Sequence, residues 1–391
     1  MIYVGIDVAK NKHDCCITGD NGGKLYSVFT IKNNREGFDV FLEKILSVAT
    51  NLSEVKAGLE ATGHYHINIL RFLIDNEINT YLINPLRTNS YRKSHTLRST
   101  KTDKEDAATI ADMLKNDDTL IPYTSESMKY DELRALTRYR YDKVRERARL
   151  RIAVVKLTDI LFPELEDLVS DMHGSFVYAL LSEYPGASYI AKANVESLTE
   201  IISASSCGKC GEERASLIRD AALNSVGSEI PARSMELKHT ITLIGVLTEE
   251  INGIEKEINE IMDRIDPPIL SIPGVGIQMG AMIIAEVGDF SRFKSADALL
   301  AYAGLSPTTY QSGKLLSTHS HMEKRGSKYL RYALFSTAKY VCRWDEDFAR
   351  YLAGKRAEGK HYNVAITHAA RRLLRVIYRM QLSGEPYRAK Y

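Results

Sequence analysis

Along the first 85 residues the spacing of apolar positions alternates between about two and about four. "IYVGIDVA" is a short apolar run holding one acid, Asp7. "DCCITG" and "KLYSVFTI" follow, with "GDNGG" between them as a hairpin turn. These runs predict three antiparallel strands. "NREGFDVFLEKILSVAT" has helical spacing, with Phe38, Phe41, Leu42, Ile45 and Leu46 on one stripe. "VKAGLEA" reads as a strand, "HINILRFLIDN" as a helix, and "INTYLINP" as a strand stopped by Pro85. The predicted order is β-β-β-α-β-α-β, then helix. A meander feeding alternating units implies a mixed sheet with helices on its faces.

From about Ser127 the pattern becomes helical. "KYDELRALTRYRYDKVRERARLRIAVVKLTDILF" has no Gly or Pro. Leu133, Leu136, Tyr139 or Arg140, Lys143 and Val144, then Leu150, Val154, Leu157 and Leu161, give an approximate heptad. A long helix ending at Pro163 is expected. A second long helix lies at "ARSMELKHTITLIGVLTEEINGIEKEINEIMDRID", ending at Pro267 and Pro268. The two are expected to pair as an antiparallel coiled coil, within the chain or with another copy. Between them, roughly 163–232, lies a shorter-period helical insertion. A third region opens with "SIPGVGIQMGAMIIAEVGD", the pattern of a helix-hairpin-helix. There Gly274 and Gly276 would let the backbone approach a phosphate, and the following helix N-terminus would offer free N–H groups; the alternative is a plain tight turn. The expected domains are 1–125, 126–265 and 266–391.

Composition narrows the function classes. The chain has 391 residues and a formal net charge of +2, with 44% hydrophobic and 26% charged residues. No apolar run approaches the roughly 18 residues that span a bilayer, and the start has no signal-peptide pattern. A cytoplasmic protein is expected, with no membrane partner. The five cysteines make no disulfide framework. Cys207 and Cys210 form a lone CxxC, read as a polar loop before a zinc knuckle or redox pair. The basic residues are clustered: Arg87, Arg92, Lys93, Arg98, Lys101 and Lys104 lie close together, and "KRGSKYLRYALFSTAKYVCR" and "AARRLLRVIYRM" add two further stretches. Three clusters in a near-neutral chain suit phosphate contacts.

The acids carry the candidate chemistry. Asp7 sits in an otherwise apolar strand, where an uncompensated charge is costly. Glu60 ends the strand "VKAGLEA", and strand carboxyl ends are where ligands collect in open α/β sheets. In "RSTKTDKEDAATIADML", Asp103 and Asp106 have i, i+3 spacing and share one helix face. Thr102 and Glu105 fit a capping box, so Asp103 also reads as a first-turn acid that complements the helix dipole. The element order is that of the ribonuclease H-like fold. On that fold the four acids are candidates to hold Mg²⁺ (or Mn²⁺), which prefers oxygen ligands and activates water or a hydroxyl against a phosphodiester.

Six segments in order, "YVGIDVAKNKHD", "LEATGHY", "STKTDKEDAATIADML", "IPGVG", "AYAGLSPTTYQSGK" and "KRGSKYLRYAL", resemble the DEDD-type transposases of circularising insertion sequences, relatives of the pilin-gene-inverting recombinases. The resemblance covers roughly 1–115 and 265–380; the middle matches only in being helical. It implies a RuvC-like N-terminal domain whose acidic tetrad is Asp7, Glu60, Asp103 and Asp106, with Mg²⁺ (or Mn²⁺) as cofactor. It also implies a C-terminal domain with a nucleophilic serine, matched by Ser312 in "YQSGK". The implied partners are double-stranded DNA, both donor and target, a bridge RNA as guide, and further copies of the chain in a dimer or tetramer. A bacterial or archaeal, nucleoid-associated protein follows only from this resemblance. Gly313 and Lys314 suit a phosphate beside the serine, although a serine next to glycine is also a common turn residue. His319 and His321 are candidate nucleic-acid contacts or plain exposed loop residues. Lys324, Arg325, Lys328 and Arg331 are expected to position DNA or RNA through phosphates, together with Arg98, Lys101 and Lys104.

Two other classes fit the residues. One is a RuvC-like hydrolytic junction resolvase using the four carboxylates without serine chemistry. The other is a non-enzymatic nucleic-acid-binding scaffold. The long C-terminal region with its "YQSGK" loop favours the recombinase over the first, and the acid in the first strand argues against the second.

Overall fold

A computed structural model describes residues 1–389 except 62, 96–102, 207–210, 308–310, 313–314, 317–321 and 323. The chain divides into two compact units. The first comprises 1–132 and 288–294, the second 133–287 and 295–391.

In the first unit the expected order is present: β1 (Ile2–Val8), β2 (Lys12–Gly19), β3 (Lys24–Lys32), α1 (Arg35–Leu46), β4 (Val55–Glu60), α2 (Ile67–Asp75), β5 (Asn79–Ile83), α3 (Pro85–His95) and α4 (Asp103–Asn116). The strands form one mixed sheet in the order β3-β2-β1-β4-β5. β1–β2 and β2–β3 are antiparallel, and β1–β4 and β4–β5 are parallel. This arrangement is consistent with a ribonuclease H-like domain. The β2–β3 connection closes as a tight turn, with Gly22 at φ +77°, a conformation that favours glycine. α1 is started by Asn34, whose side chain accepts from Gly37 N at 2.9 Å. Its buried stripe is Phe41 and Ile45, whereas Leu46, at the last position, is exposed.

Period-two alternation sorts the sheet into two faces. Ile2, Val4, Ile6 and Val8 of β1 join Val55, Ala57 and Leu59 of β4 in one core with Phe41 and Ile45 of α1 and Ile69, Leu70 and Leu73 of α2. Tyr3, Gly5 and Asp7, and Lys56, Gly58 and Glu60, therefore point to the opposite face. α4 lies there. A Cβ at Gly5 would overlap Ala107 O and sit 2.5 Å from Ala111 N. One at Gly58 would be 2.9 Å from Leu114 Cδ1 and 3.0 Å from Ile110 Cγ2. The helix backbone thus rests on bare strand at two glycines.

Gly5→Ala should destabilise the first unit by about 1–3 kcal/mol, the usual cost of overpacking, because backbone rather than a flexible side chain must move. The same shift should lower any cleavage activity more than the lost stability accounts for. Thermal unfolding and cleavage measured on one preparation check this; equal stability and equal cleavage would mean that the sheet and α4 need no such contact.

In the second unit α5 (Ser125–Leu161, its first residues in unit one) and α11 (Pro231–Ile265) are the two expected long helices. They run antiparallel: Arg140 meets Glu255 (2.6 Å), Lys143 meets Glu250 (3.3 Å) and Arg147 donates to Thr248 (3.1 Å). Val154, Leu157 and Leu161 bury one end of α5, but its middle presents Arg140, Lys143 and Arg147. α11 itself buries Ile244, Leu247, Ile251, Ile254, Ile258 and Ile261 at alternating three- and four-residue spacing. Between the long helices α6 (Leu165–Leu168), α7 (Ser175–Glu183), α8 (Ala187–Lys192), α9 (Val195–Ser205) and α10 (Glu212–Leu223) form a small helical body. Its core includes Phe162, Leu180, Ile190, Ile202 and Ile218 with Leu237 and Ile241 of α11. Cys207 and Cys210 lie outside the described residues.

The C-terminal part contains α12 (Ile277–Val287), α13 (Ala296–Tyr302), the short strands β6 (Gln311–Ser312) and β7 (Leu315–Leu316), α14 (Lys328–Trp344), α15 (Glu346–Ala357) and α16 (Tyr362–Ser383). Cys15, Cys16 and Cys342 are buried free thiols. Burial, and after it the charge of Asp345, pushes the Cys342 thiol up to about 11, which suits structural rather than reactive cysteines. No helix among the described residues is long and apolar enough to cross a membrane.

Candidate carboxylate centre and serine hairpin

Asp7 follows Ile6 in β1 and Glu60 follows Leu59 in the parallel strand β4, where Ile6 and Leu59 are in register. The two carboxylates are therefore neighbours at the carboxyl ends of adjacent strands, on the face covered by α4. The direction of α4 decides where its acids lie. Lys115, in its last turn, has Nζ 3.3 Å from the Cβ position of Gly22, in the β2–β3 turn. That turn adjoins Gly19, which pairs with Ile2 at the start of β1. The N-terminus of α4 consequently lies towards the other end of β1, that of Asp7 and Glu60. Asp106 continues towards the N-terminus the stripe of Ala107, Ile110, Ala111 and Leu114 that packs on the sheet. Asp106 is only 8% exposed, unlike an ordinary solvated first-turn acid. Asp103 is the first residue of α4; its side chain, like Thr102 of the expected capping box, lies outside what is described.

Asp106 already holds a cation. Arg92 of α3 donates from Nη1 to Asp106 Oδ1 at 2.8 Å and from Nη2 to Asn89 Oδ1 at 3.0 Å. α3 is tied along α4 by Tyr91–Asp112 (2.8 Å) and Arg87–Asp117 (2.5 Å) as well. Arg87 and Arg92, expected in a basic footprint for phosphates, are thus spent on carboxylates. Arg98 and Lys101 lie outside the described residues, as does the side chain of Lys104. Opposite Asp7 in β2 stands Asp14, buried, accepting from Thr30 and paired with Lys12 at 3.3 Å.

The side chains of Asp7, Glu60 and Asp106 offer carboxylate oxygens, the donor type that Mg²⁺ or Mn²⁺ prefers, and Arg92 pairs with the last of them. Among the described residues no three His, Cys, Asp or Glu side chains are grouped closely enough to hold one ion.

The serine stands on a different element. Ser312 pairs with Leu315 and Gln311 with Leu316, so β6 and β7 are joined by only Gly313 and Lys314. Nearer the base, Pro307 bridges Met322, and at the foot Ser327 N donates to Tyr302 O at 3.0 Å. Ser312 is therefore on the end of a hairpin, beside its connection. Lys314, His319 and His321 lie outside the described residues. Lys324, Arg325 and Lys328 are exposed. Arg331 instead braces the hairpin foot, where its Nη1 donates to Ala303 O and Lys324 O, both at 3.3 Å.

The two glycines of "IPGVG" differ. The segment before them is a 3₁₀ turn, Pro268–Ser271, and α12 follows. Gly274 has φ +88°, and a Cβ on it would lie 2.7 Å from the Tyr340 backbone of α14, so it is required by packing. A Cβ on Gly276 would meet nothing within 4 Å. Gly274→Ala should cost about 1–3 kcal/mol of stability, whereas Gly276→Ala, which meets no neighbour but puts a poorer cap before α12, should cost less than about 1 kcal/mol. A drop in nucleic-acid affinity with Gly276→Ala would then report a phosphate at that backbone, and unchanged affinity would remove it from the interface. Filter binding and thermal unfolding separate the two effects.

Residues 4–163 match the family model of the DEDD transposases of IS110 elements, described as "Transposase", and residues 266–353 match "Transposase IS116/IS110/IS902 family". The chain belongs to the IS110/IS116 transposase family. The two matched segments together span more than half of it. Relatives cover nearly its whole length. The 44.8 kDa protein of insertion element IS116 from Streptomyces clavuligerus is 26% identical over 97% of this chain and 94% of its own. The pilin gene-inverting protein of Moraxella bovis is 26% identical over 98% of this chain and 97% of its own. The transposase of insertion sequence element IS1111A from Coxiella burnetii is 27% identical over 87% and 78%. As a member of this family the chain is a DNA transposase or recombinase, and its DEDD class suggests dependence on a divalent metal ion.

Glu286 is the residue that the reading of the sequence passed over. It is a fully buried acid in the apolar run "MIIAEV", the same signal that singled out Asp7.

Proposed function

We propose that this transposase cuts and rejoins DNA through Ser312, with Asp7, Glu60, Asp103 and Asp106 holding Mg²⁺ or Mn²⁺, and that a guide RNA selects its donor and target. The observation that supports the reading is that Asp7 and Glu60 stand at the carboxyl ends of adjacent parallel strands, on the sheet face covered by α4, the helix that carries Asp103 and Asp106. The serine on its hairpin supplies the second part.

The step balances as a transesterification. Ser312 Oγ attacks the phosphorus, an Oγ–P bond forms, and the bond from phosphorus to one deoxyribose oxygen breaks. The serine proton leaves as the bond forms, and the departing DNA oxygen takes up a proton. Phosphodiester number is conserved, so a DNA hydroxyl can reverse the step and join a new strand without an energy source. A free serine hydroxyl is a weak nucleophile near neutral pH and needs activation. The bound divalent ion would supply that activation and neutralise charge on the non-bridging oxygens. Two DNA ends require more than one active centre, so the working form is an oligomer, a dimer or tetramer.

The test is recombination of a supercoiled donor with a target, using purified protein, Mg²⁺ and RNA transcribed from the element's flanks. The expected result is joined product that depends on the RNA, with a protein–DNA adduct whose modified peptide contains Ser312. Hydrolysed ends with no adduct would instead support the resolvase reading, and joining without RNA would remove the guide.

A further inference from the structure

We propose that Glu286 is a positioning residue that fixes both feet of the hairpin bearing Ser312. The proposal rests on the reading of Ser312 as the nucleophile. Glu286 lies in α12 and has no exposed surface. Its carboxylate accepts from Arg138 Nε at 2.6 Å and Nη2 at 3.0 Å, and from Ser327 Oγ at 2.6 Å. Its backbone carbonyl accepts from Tyr302 OH at 3.2 Å. Tyr302 ends α13 and Ser327 caps α14, accepting from Leu330 N at 3.1 Å. Everything between those two residues is the segment that presents Ser312.

One buried residue therefore touches the last residue before the hairpin and the first residue after it. The feet also touch each other. Ser327 N bonds Tyr302 O, and a Cβ on Gly326 would overlap that same carbonyl. A carboxylate in this place must be fully paired, because an uncompensated buried charge is expensive. Arg138 of α5 provides the counter-charge and lies over the Tyr329 ring at 4.8 Å. The bidentate geometry sets the carboxylate plane and so the direction of the Ser327 bond. Pairing alone would be satisfied by Arg138; the bond that the carboxylate accepts from Ser327 and the one that the backbone carbonyl of the same residue accepts from Tyr302 tie both feet to one position. Reaction rates respond to displacements of the nucleophile of about 1 Å, and the feet of a two-strand hairpin set the direction of its far end.

The test compares Glu286→Gln, Ser327→Ala, Ser327→Thr and Tyr302→Phe in the full chain. Three quantities are read: single-turnover adduct formation at saturating DNA, DNA affinity, and amide exchange of peptides across 303–326 against the rest of the second unit. Ser327→Ala and Tyr302→Phe each keep the ion pair, so both remain informative even where Glu286→Gln does not fold. The expected result is an adduct rate lower by about 10- to 10²-fold, unchanged affinity, and faster exchange confined to 303–326, with Ser327→Thr restoring both. Unchanged exchange and unchanged rate in Ser327→Ala and Tyr302→Phe would overturn the proposal. So would exchange that rises uniformly across the unit, since that is plain destabilisation, and so would a rate that stays at the parent value while the feet loosen. Exchange is independent of which atom attacks. Adduct that persists in Ser312→Ala would overturn the nucleophile reading alone and leave the clamp to be judged on exchange.

Discussion

Replacing Asp7 by asparagine should lower metal-dependent strand cleavage by about 10²- to 10³-fold, the scale of losing one group that stabilises developing charge, while the fold becomes no less stable. The substitution keeps the shape of the side chain and its capacity for hydrogen bonds. It removes one negative charge from a place where Glu60 stands beside it, Asp106 approaches from α4 and Asp14 faces it across β2. The change takes away a charged oxygen that a divalent ion would need and leaves the volume of the side chain as it was. A residue kept for packing behaves in the opposite way and loses stability when changed. Cleavage of a labelled substrate in Mg²⁺ and in Mn²⁺, beside thermal unfolding and RNA binding, measures both sides. Cleavage at the parent rate would remove Asp7 from the centre and with it the carboxylate reading.

Ser312→Ala should abolish the covalent protein–DNA species altogether. Position 312 is in a two-residue strand next to the hairpin connection, so an alanine there should alter stability by less than about 1 kcal/mol. DNA and RNA binding should persist. Ser312→Cys is the sharper variant: a thiol is the stronger nucleophile, and an adduct that returns with a phosphorothiolate linkage identifies the attacking atom. A denaturing gel followed by peptide mapping reads both. Adduct formation by the alanine variant would move the nucleophile elsewhere, with Ser306, Ser317 and Ser320 the nearest serines in sequence.

The fold of the first unit was legible because its elements have clean periods. The Gly-rich turn, the two-residue alternation of β1 and β2 and the stripe of α1 are local features, and each was placed close to its observed bounds. Asp7 and Glu60 were legible for the same reason: an acid inside an apolar strand and an acid at a strand end are visible in one dimension. What lays α4, the helix of Asp106, over their face of the sheet was not. That depends on Gly5 and Gly58 admitting a helix more than 40 residues later in the chain, and nothing around a glycine in "YVGIDV" says what will rest on it. The Arg92–Asp106 pair was hidden likewise, since an arginine in a basic cluster carries no mark of its partner. The long helices were found from their length, their heptad spacing and, in α5, the lack of Gly and Pro. The partners of Arg140, Lys143 and Arg147 on α11, two carboxylates and the Thr248 hydroxyl, were not visible in the heptad. Glu286 is the instructive omission, because the rule that found Asp7 applied to it unchanged. The rule was used on a strand and not on a helix.

The two bare positions under α4 also bear on how such a chain can change over time. In an ordinary core a gained or lost methylene is absorbed by neighbours that repack, so many sequences share one geometry. Gly5 offers no such slack, because main chain meets main chain there. The opposite face of the sheet, with Val4, Ile6, Leu59 and Phe41, is free to drift among apolar residues of similar total volume. The spacing between strand acids and helix acids is not. A lineage descending from this protein could exchange one acid for another at these positions, but could not slide the helix that carries Asp103 and Asp106.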